Sequence, residues 1–186
     1  LSASPFDYTH GADRKATIKS NVLKYGIPMF YCNGVGSQTE IVFDGASLVF
    51  DKNANLCGKL NSFKEDAQAF VLNDDGTIEG DIIEYANSLP DAESNPSELE
   101  AALNIEEVYD ALIMGISDYF NKMGFKKAIL GSSGGIDSAV TLALACKALG
   151  NENVKAVLMP SEYSSNHSVT DAEQLSKNLN NPYDII

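Results

Sequence analysis

The sequence predicts an α/β protein whose two halves are built differently. In the second half, short apolar runs alternate with helical patterns, which is typical of βαβ units on a parallel sheet. In the first half, one helical pattern is followed by closely spaced strand and turn patterns, which indicates mixed α and β structure ending in antiparallel strands. A length of 186 residues suits one large or two small domains.

The first half begins with a helical pattern over 14–26, which ends at a glycine, followed by a strand over 27–33. Residues 39–51, "TEIVFDGASLVFD", have the pattern of two strands joined at Asp44-Gly45. Because Asp-Gly is a strong hairpin signal, we predict that these two strands pair with each other. A further turn is predicted over 73–78, "NDDGTI".

A polar, acidic stretch with two prolines covers residues 84–97 and is predicted to be a linker. Ser97 and Glu100 have the spacing of a capping box, which marks the start of a helix. Apolar residues then recur at helical spacing to about Gly124.

The second half contains five predicted elements in alternating order. They are a strand over 127–131, a helix over 138–149, a strand over 154–160, a helix over 168–179 and a strand beginning at 183. In such sheets ligands bind at the carboxyl ends of the strands, so the segment that follows the first of these strands is the expected binding site.

The amino-acid composition excludes several classes of function. With 44% apolar residues and no long apolar run, the sequence is that of a globular domain. A net charge of −13 argues against non-specific binding to nucleic acid or to an anionic membrane, both of which require basic patches. Three scattered cysteines give neither a disulfide framework nor zinc spacing, and we expect a cytoplasmic location. The first residue is Leu1, and we expect the chain to be a piece of a longer one.

The most informative segment is "GSSGGIDS", between the predicted strand at 127–131 and the following helix. Glycines allow a close approach of the backbone, and free N–H groups and hydroxyls before a helix attract an anion. The segment lacks the Gly-Lys-Ser/Thr ending of the common P-loop. The predicted ligands of a polyphosphate are Gly131, Ser132, Ser133, Gly134, Gly135, Ile136, Asp137 and Ser138.

Asp137 needs a separate explanation, because a carboxylate repels bare phosphate. A bridging Mg²⁺ removes the conflict, since Mg²⁺ takes one or two carboxylates together with phosphate oxygens. Asp137 is therefore the candidate metal ligand. The alternative is an ordinary glycine-rich turn in which Asp137 is only a charge at a helix start.

Residues 133–138 resemble the pyrophosphate loop of the N-type ATP pyrophosphatases, a superfamily that includes the NAD, GMP and asparagine synthetases. The resemblance implies a Rossmann-like domain that cleaves ATP between its α and β phosphates and adenylates a substrate. Residues 157–179 are similar to NAD synthetases, in which the turn around Leu158 and Met159 would lie along the adenosine.

The first half resembles the nitrilase-type glutaminase domain of glutamine-dependent NAD synthetases. The family pattern is matched by residues 2–6, Arg14, residues 35–36, Gln38, Glu40 and residues 43–45. Ser37 stands in place of a glycine, Thr39 in place of an aspartate and His10 in place of the usual lysine.

By this resemblance, 1–83 is the C-terminal part of a nitrilase-like glutaminase α/β sandwich, 84–97 the linker and 98–186 the N-terminal part of the synthetase domain. Ser4 and His10 would line the glutamine pocket; without the resemblance they are a turn residue and a surface loop residue. The glutaminase cysteine, glutamate and lysine would precede Leu1, so no catalytic residue is assigned. The three cysteines of this chain, Cys32, Cys57 and Cys146, are interpreted as structural.

The resemblance implies a carbon–nitrogen ligase that uses ATP and Mg²⁺ to convert deamido-NAD to NAD, with ammonia from glutamine. It also implies a homo-oligomer with small-molecule substrates, and a fragment that is inactive alone. Two other functions stay open. One is another amidating or thiolating ATP pyrophosphatase, and the other is a nucleotide-binding module without turnover.

Overall fold

The computed structural model describes residues 3–8, 10–79, 99–160 and 166–186. The chain divides into two compact units, Leu1–Ala111 and Leu112–Ile186. The predicted linker at 84–97 and the side chains of the predicted capping box lie outside the described residues, so the predicted domain boundaries stay predictions. Among the described residues, no helix is long and apolar enough to cross a membrane.

In the described residues up to 79, the first unit has one helix and seven short strands. They are α1 (His10–Tyr25), β1 (Met29–Tyr31), β2 (Val35–Gln38), β3 (Ile41–Asp44), β4 (Leu48–Phe50), β5 (Leu56–Lys59), β6 (Val71–Leu72) and β7 (Ile78–Glu79). Strands β1, β4 and β5 form an antiparallel sheet in the order β1-β4-β5. Strands β6 and β7 pair across the predicted turn at 73–78, which is confirmed.

The core of this unit lies between α1 and the β1-β4-β5 sheet. Ile18 and Val22 are one helical turn apart on α1, and both are buried with Leu48 and Phe50 of β4. Helix α1 thus contributes a narrow apolar stripe, and the remainder of its surface is largely polar apart from the exposed Leu23 and Tyr25.

The predicted hairpin at Asp44-Gly45 is wrong. Strand β3 pairs with β2 across Thr39-Glu40, whereas β4 pairs with β1 and β5. Gly45 does turn the chain, with φ of +68°, but its N–H donates to the carbonyl of Gly34 at 2.9 Å. The turn therefore passes the chain from one sheet to another and does not return it along the same sheet.

Helix α2 (Leu99–Met123) spans the division between the units and ends where the apolar periodicity predicts. Gly124 has a φ of +73°, and the N–H of Phe125 donates to the carbonyl of Phe120 at 2.9 Å. A glycine in the left-handed conformation after the last turn is a common helix C-cap.

The second unit then has strict β-α alternation, as predicted. Its elements are β8 (Ala128–Gly131), α3 (Ile136–Leu149), β9 (Val154–Leu158), α4 (Asn166–Leu179) and β10 (Tyr183–Ile185). The three strands are parallel, in the order β10-β9-β8. Leu142 of α3, Ala172 of α4 and every second residue of β9 from Val154 form its buried core. This core fixes the loop after β8 at the carboxyl edge of the sheet.

Candidate functional site

The loop between β8 and α3 lies at the carboxyl end of a parallel strand, as predicted. Helix α3 begins at Ile136, two residues before the predicted start at Ser138, so Asp137 lies in its first turn. Gly135 is the N-cap, with extended backbone and no side chain to accept from the helix. The first N–H groups of α3 therefore have no capping oxygen from that residue, and they face the loop that precedes the helix.

Two hydroxyls of the loop form hydrogen bonds with its backbone, and Ser138 Oγ also donates to the carbonyl of Gly135 at 2.9 Å. Ser133 Oγ and Ser138 Oγ are 3.1 Å apart, and the N–H groups of Gly135 and Ser133 donate to them at 3.3 Å each. These N–H contacts are longer than the usual 2.9–3.0 Å, so the loop holds its own donors weakly. A phosphate oxygen can replace a hydroxyl as the acceptor and form shorter, charge-assisted bonds.

The two central glycines of the loop have different surroundings. A Cβ added at Gly134 would lie 2.2 Å from the carbonyl oxygen of Ser168 in α4, and φ at Gly134 is +81°. A Cβ at Gly135 would meet only Ser133 Oγ, at 3.4 Å. Gly134 is therefore needed for the packing of the loop against α4, whereas the space beside Gly135 is open and available to a ligand.

Asp137 is exposed in the first turn of α3, and its backbone carbonyl accepts from the hydroxyl of Thr141 at 2.8 Å. Within the described residues, no group of three or more His, Cys, Asp or Glu side chains is placed to hold a metal ion. Asp137 alone would hold Mg²⁺ poorly. A single carboxylate does suit Mg²⁺ when phosphate oxygens complete its coordination, so the residue fits a metal that arrives with a nucleotide.

A small cleft of about 80 Å³ adjoins the loop between the ends of β8 and β9 and the start of α4. It is lined by Ser132, Ser133, Leu158, Met159, Pro160, Ser168 and Val169. The predicted strand at 154–160 stops at Leu158, which leaves the side chains of the next two residues free to line this cleft. The walls of this cleft therefore combine apolar side chains with three serines, directly beside the loop.

Ser132 is buried, and its Oγ has no hydrogen-bond partner within the described part of the chain. Its backbone N–H is used, since it donates to the carbonyl of Val157 at 2.9 Å. A buried hydroxyl without a partner is unfavourable, and in the wall of a cleft it can be satisfied by a ligand or by water.

In the first unit, Ser4 is half-buried and is held through its backbone. Its N–H donates to Asn33 Oδ1 at 2.9 Å, and its carbonyl accepts from Asn33 Nδ2 at 3.1 Å. His10 is the first residue of α1, but its side chain lies outside the described part of the structure. Its predicted role stays a prediction.

The three cysteines differ in their surroundings. Cys146 is buried in the core of the second unit, and burial raises the pKa of its thiol. Burial also raises the pKa of the Cys57 thiol. Cys32 lies just after β1, which ends at Tyr31, and it is exposed. The raised thiol pKa of Cys57 and Cys146 disfavours the thiolate, in keeping with structural roles.

Sequence reasoning missed two contributors. The backbone of Ser168 lies where a side chain of Gly134 would be, a proximity that leaves no trace in the amino-acid pattern. Asn33 contacts Ser4 across 29 residues of sequence, which the local pattern does not indicate either.

Comparisons with known proteins agree with the resemblance. Residues 108–186 match the family model described as NAD synthase. A glutamine-dependent NAD(+) synthetase from Synechocystis is 38% identical over 96% of this chain, and one from Thermotoga maritima is 36% identical over 96%. The chain spans 30% and 34% of the lengths of these two relatives, so it corresponds to about a third of them.

A solved structure of a glutamine-dependent NAD+ synthetase from Acinetobacter baumannii, in complex with adenosine diphosphate, also matches. It is 34% identical, covers all of this chain with a TM-score of 0.84, and the match includes 32% of that protein. The mixed α/β class with a parallel sheet is therefore confirmed. The nitrilase-like nature of the first unit stays a prediction.

Proposed function

We propose that this chain, which is similar over nearly its whole length to glutamine-dependent NAD(+) synthetases, is part of an enzyme of that activity. The full-length enzyme would convert deamido-NAD to NAD, consuming ATP and taking ammonia from glutamine. The observation that carries this proposal is the loop at 131–138, which stands at the carboxyl edge of a parallel sheet, directly before helix α3, with the N–H groups of Ser133 and Gly135 in long hydrogen bonds.

The chemistry proceeds in two steps. A carboxylate oxygen of deamido-NAD attacks the α phosphorus of ATP, and the bond from that phosphorus to the bridging oxygen breaks to release pyrophosphate. Ammonia then attacks the acyl carbon, and AMP leaves with the former carboxylate oxygen. Because the departing group is pyrophosphate, the enzyme needs donors around its β and γ oxygens more than it needs a lysine.

The loop residues fit these demands. The N–H groups of 135–138 and the hydroxyls of Ser133 and Ser138 would bind the pyrophosphate oxygens as charge builds on them. Asp137 would hold Mg²⁺, which neutralises this charge. The adenosine would lie in the cleft beside Met159. An ADP complex is known for the protein from Acinetobacter baumannii, which supports nucleotide use here.

In this proposal the first unit belongs to the glutaminase. Ser4 would contact glutamine, while the cysteine nucleophile would come from residues outside this sequence. Cytoplasmic location and homo-oligomeric assembly are parts of the same proposal.

The test is NAD formation by the purified full-length enzyme from deamido-NAD, ATP and Mg²⁺, with either glutamine or ammonium as nitrogen donor. We expect NAD, AMP and pyrophosphate in equal amounts with both donors. A matched reaction with xanthosine monophosphate or aspartate in place of deamido-NAD is expected to give no product. Amidation of either of these, or ATP binding without turnover, would contradict the proposal.

A further inference from the structure

Asn33 connects three separate parts of the first unit. It lies between β1 and β2 and is 7% exposed. Its side chain forms paired hydrogen bonds with the backbone N–H and carbonyl of Ser4, 29 residues earlier in the chain. Its Nδ2 also donates to Asp44 Oδ1 at 3.1 Å. The amide oxygen of Asn33 thus accepts one hydrogen bond and its NH₂ group donates two, one to Ser4 and one to Asp44.

The orientation of Asn33 is itself determined from both sides. Its backbone N–H donates to Ser47 Oγ at 3.0 Å, next to β4. On the other side stands Asp44, the last residue of β3, which is 8% exposed. Because both carboxylate oxygens of Asp44 act as acceptors, the amide of Asn33 presents its NH₂ group to them. The Oδ1 atom is then directed to the N–H of Ser4.

Asp44 is held in turn by Arg14 of α1. The guanidinium forms two bonds to the carboxylate, Nη1 to Oδ2 at 2.8 Å and Nη2 to Oδ1 at 3.1 Å. Burial alone lowers the pKa of Arg14, but the hydrogen bond and charge of Asp44 raise it above its ordinary value. Both side chains are 11% exposed, so the pair is largely shielded from water.

A buried ion pair adds little net stability, because desolvation offsets most of the attraction. A bidentate pair does fix the plane of the carboxylate. In this unit that plane determines which way the amide of Asn33 points, and the amide determines where the backbone of Ser4 lies. The segment is held a second time at Phe6, whose N–H donates to the carbonyl of Val42 in β3 at 2.7 Å.

We propose that Asn33 is a positioning residue for glutamine, holding Ser4 in the pocket through its paired backbone hydrogen bonds, with Asp44 and Arg14 fixing the orientation of its amide. This proposal rests on the proposed function, in which Ser4 contacts glutamine. Asn33 would then affect the use of glutamine as nitrogen donor and would have no part in the reaction with ATP.

The experiment compares Asn33→Ala with the wild type in the full-length enzyme, using glutamine and ammonium in separate reactions. Loss of the two hydrogen bonds to Ser4 is expected to raise the KM for glutamine by roughly tenfold or more, because Ser4 is then no longer held in place. Ammonium-supported NAD formation is expected to be unchanged. If Asn33→Ala is insoluble, Asn33→Ser removes the amide and its contacts with Ser4 without placing a charge beside Asp44, and the same split between glutamine and ammonium is expected.

The matched control is Asp51→Ala. Asp51 is 5% exposed in the same unit, and its carboxylate accepts three hydrogen bonds from Asn53 and Asn55, all within its own loop. The Asp51→Ala variant is expected to have a lower melting temperature, as Asn33→Ala does, but an unchanged KM for glutamine.

Three results would overturn the proposal. An equal rise in KM in Asp51→Ala would mean that general destabilisation is the cause. An unchanged KM in a folded Asn33 variant, with normal glutamine use by the wild type, would overturn the positioning role alone. Absence of glutamine-dependent NAD formation in the wild type would overturn the proposed function, and the positioning role with it.

Discussion

Gly134 and Gly135 are neighbours in one loop, but the structure requires each of them for a different reason. Gly134 has no room for a side chain, because the carbonyl of Ser168 occupies the position of its Cβ. Gly135 has room, and its small size matters only if a ligand approaches. Gly134 is therefore required for folding, whereas Gly135 is required only for binding of a ligand.

We predict that Gly135→Val leaves the fold intact and abolishes ATP binding, because the isopropyl group fills the space that the phosphate would use. Gly134→Ala is expected to lower stability, by about 1–3 kcal/mol, because its φ of +81° and its contact with α4 are both unsuited to a Cβ. Isothermal titration with ATP and thermal unfolding measure the two effects. Normal ATP affinity in Gly135→Val would show that the loop is not a phosphate site.

Individual residues were predictable from the sequence where their chemistry depends on neighbours in the chain. The loop at 131–138 is contiguous, so its hydroxyls and glycines were all identified from the pattern. Asn33 acts on Ser4 across 29 residues, and Ser168 acts on Gly134 through its backbone. Contacts of this kind depend on the folded arrangement, which the local pattern does not contain.

Among the secondary-structure elements, those of the second unit were predicted to within two residues at each end, because each apolar pattern matches one strand or helix. The antiparallel unit was less predictable. Asp44-Gly45 gives a correct signal for a turn, but the signal does not say whether the next strand returns to the same sheet. Strand pairing is decided by the packing of α1 on β1 and β4, which is not a local property.

The carboxylate of Glu173 connects α4 to β10. It accepts from Lys177 at 2.7 Å, one helical turn away, and from the hydroxyl of Tyr183 at 2.9 Å. The hydrogen bond from Lys177, followed by that from Tyr183, holds the pKa of Glu173 below its ordinary value. These bonds need the ionised carboxylate, so their strength depends on pH.

Because the pKa of Glu173 is lowered on folding, its contribution is complete above the unfolded pKa of about 4.3 and is lost as the pH falls through the folded value. We predict that wild type is more stable than Glu173→Gln at pH 7 and that the difference shrinks towards pH 3. Melting temperatures across this range test the prediction, with Glu106→Gln on α2 as the control. If the melting temperatures of wild type and Glu173→Gln differed by the same amount at pH 7 and pH 3, the prediction would be contradicted.

At the scale of the whole molecule, two units of different architecture lie in one chain, and each matches a different half of the proposed chemistry. The first unit carries Ser4 and the buried network around it, and the second carries the loop and its cleft. If the two units serve two partial reactions, then a change in one unit will affect only the reactions that pass through it.

Ser4→Ala tests this separation. In the full-length enzyme we expect it to impair NAD formation from glutamine and to spare formation from ammonium, because the first unit is needed only to release ammonia. Steady-state rates with each donor, together with the melting temperature, provide the measurement. An equal loss with both donors would indicate a folding defect in place of a glutamine contact.

In the proposed mechanism, the loop at 131–138 binds the departing pyrophosphate through a metal on Asp137. An interaction that strengthens in the transition state affects kcat, whereas uniform binding affects KM. Asp137→Asn keeps the size of the side chain and removes its charge. Asp137 would act in the adenylation step, which precedes amidation whether the nitrogen comes from glutamine or from ammonium.

The most direct test is the rate of exchange between ATP and labelled pyrophosphate in the presence of deamido-NAD, measured for wild type and Asp137→Asn over a range of Mg²⁺ concentrations. We predict a folded variant that loses at least about a hundredfold in exchange and in NAD formation, on the order of 2.7 kcal/mol, with glutamine and ammonium alike. Normal exchange by Asp137→Asn at limiting Mg²⁺ would show that Asp137 is only a helix-start charge and would contradict the mechanism.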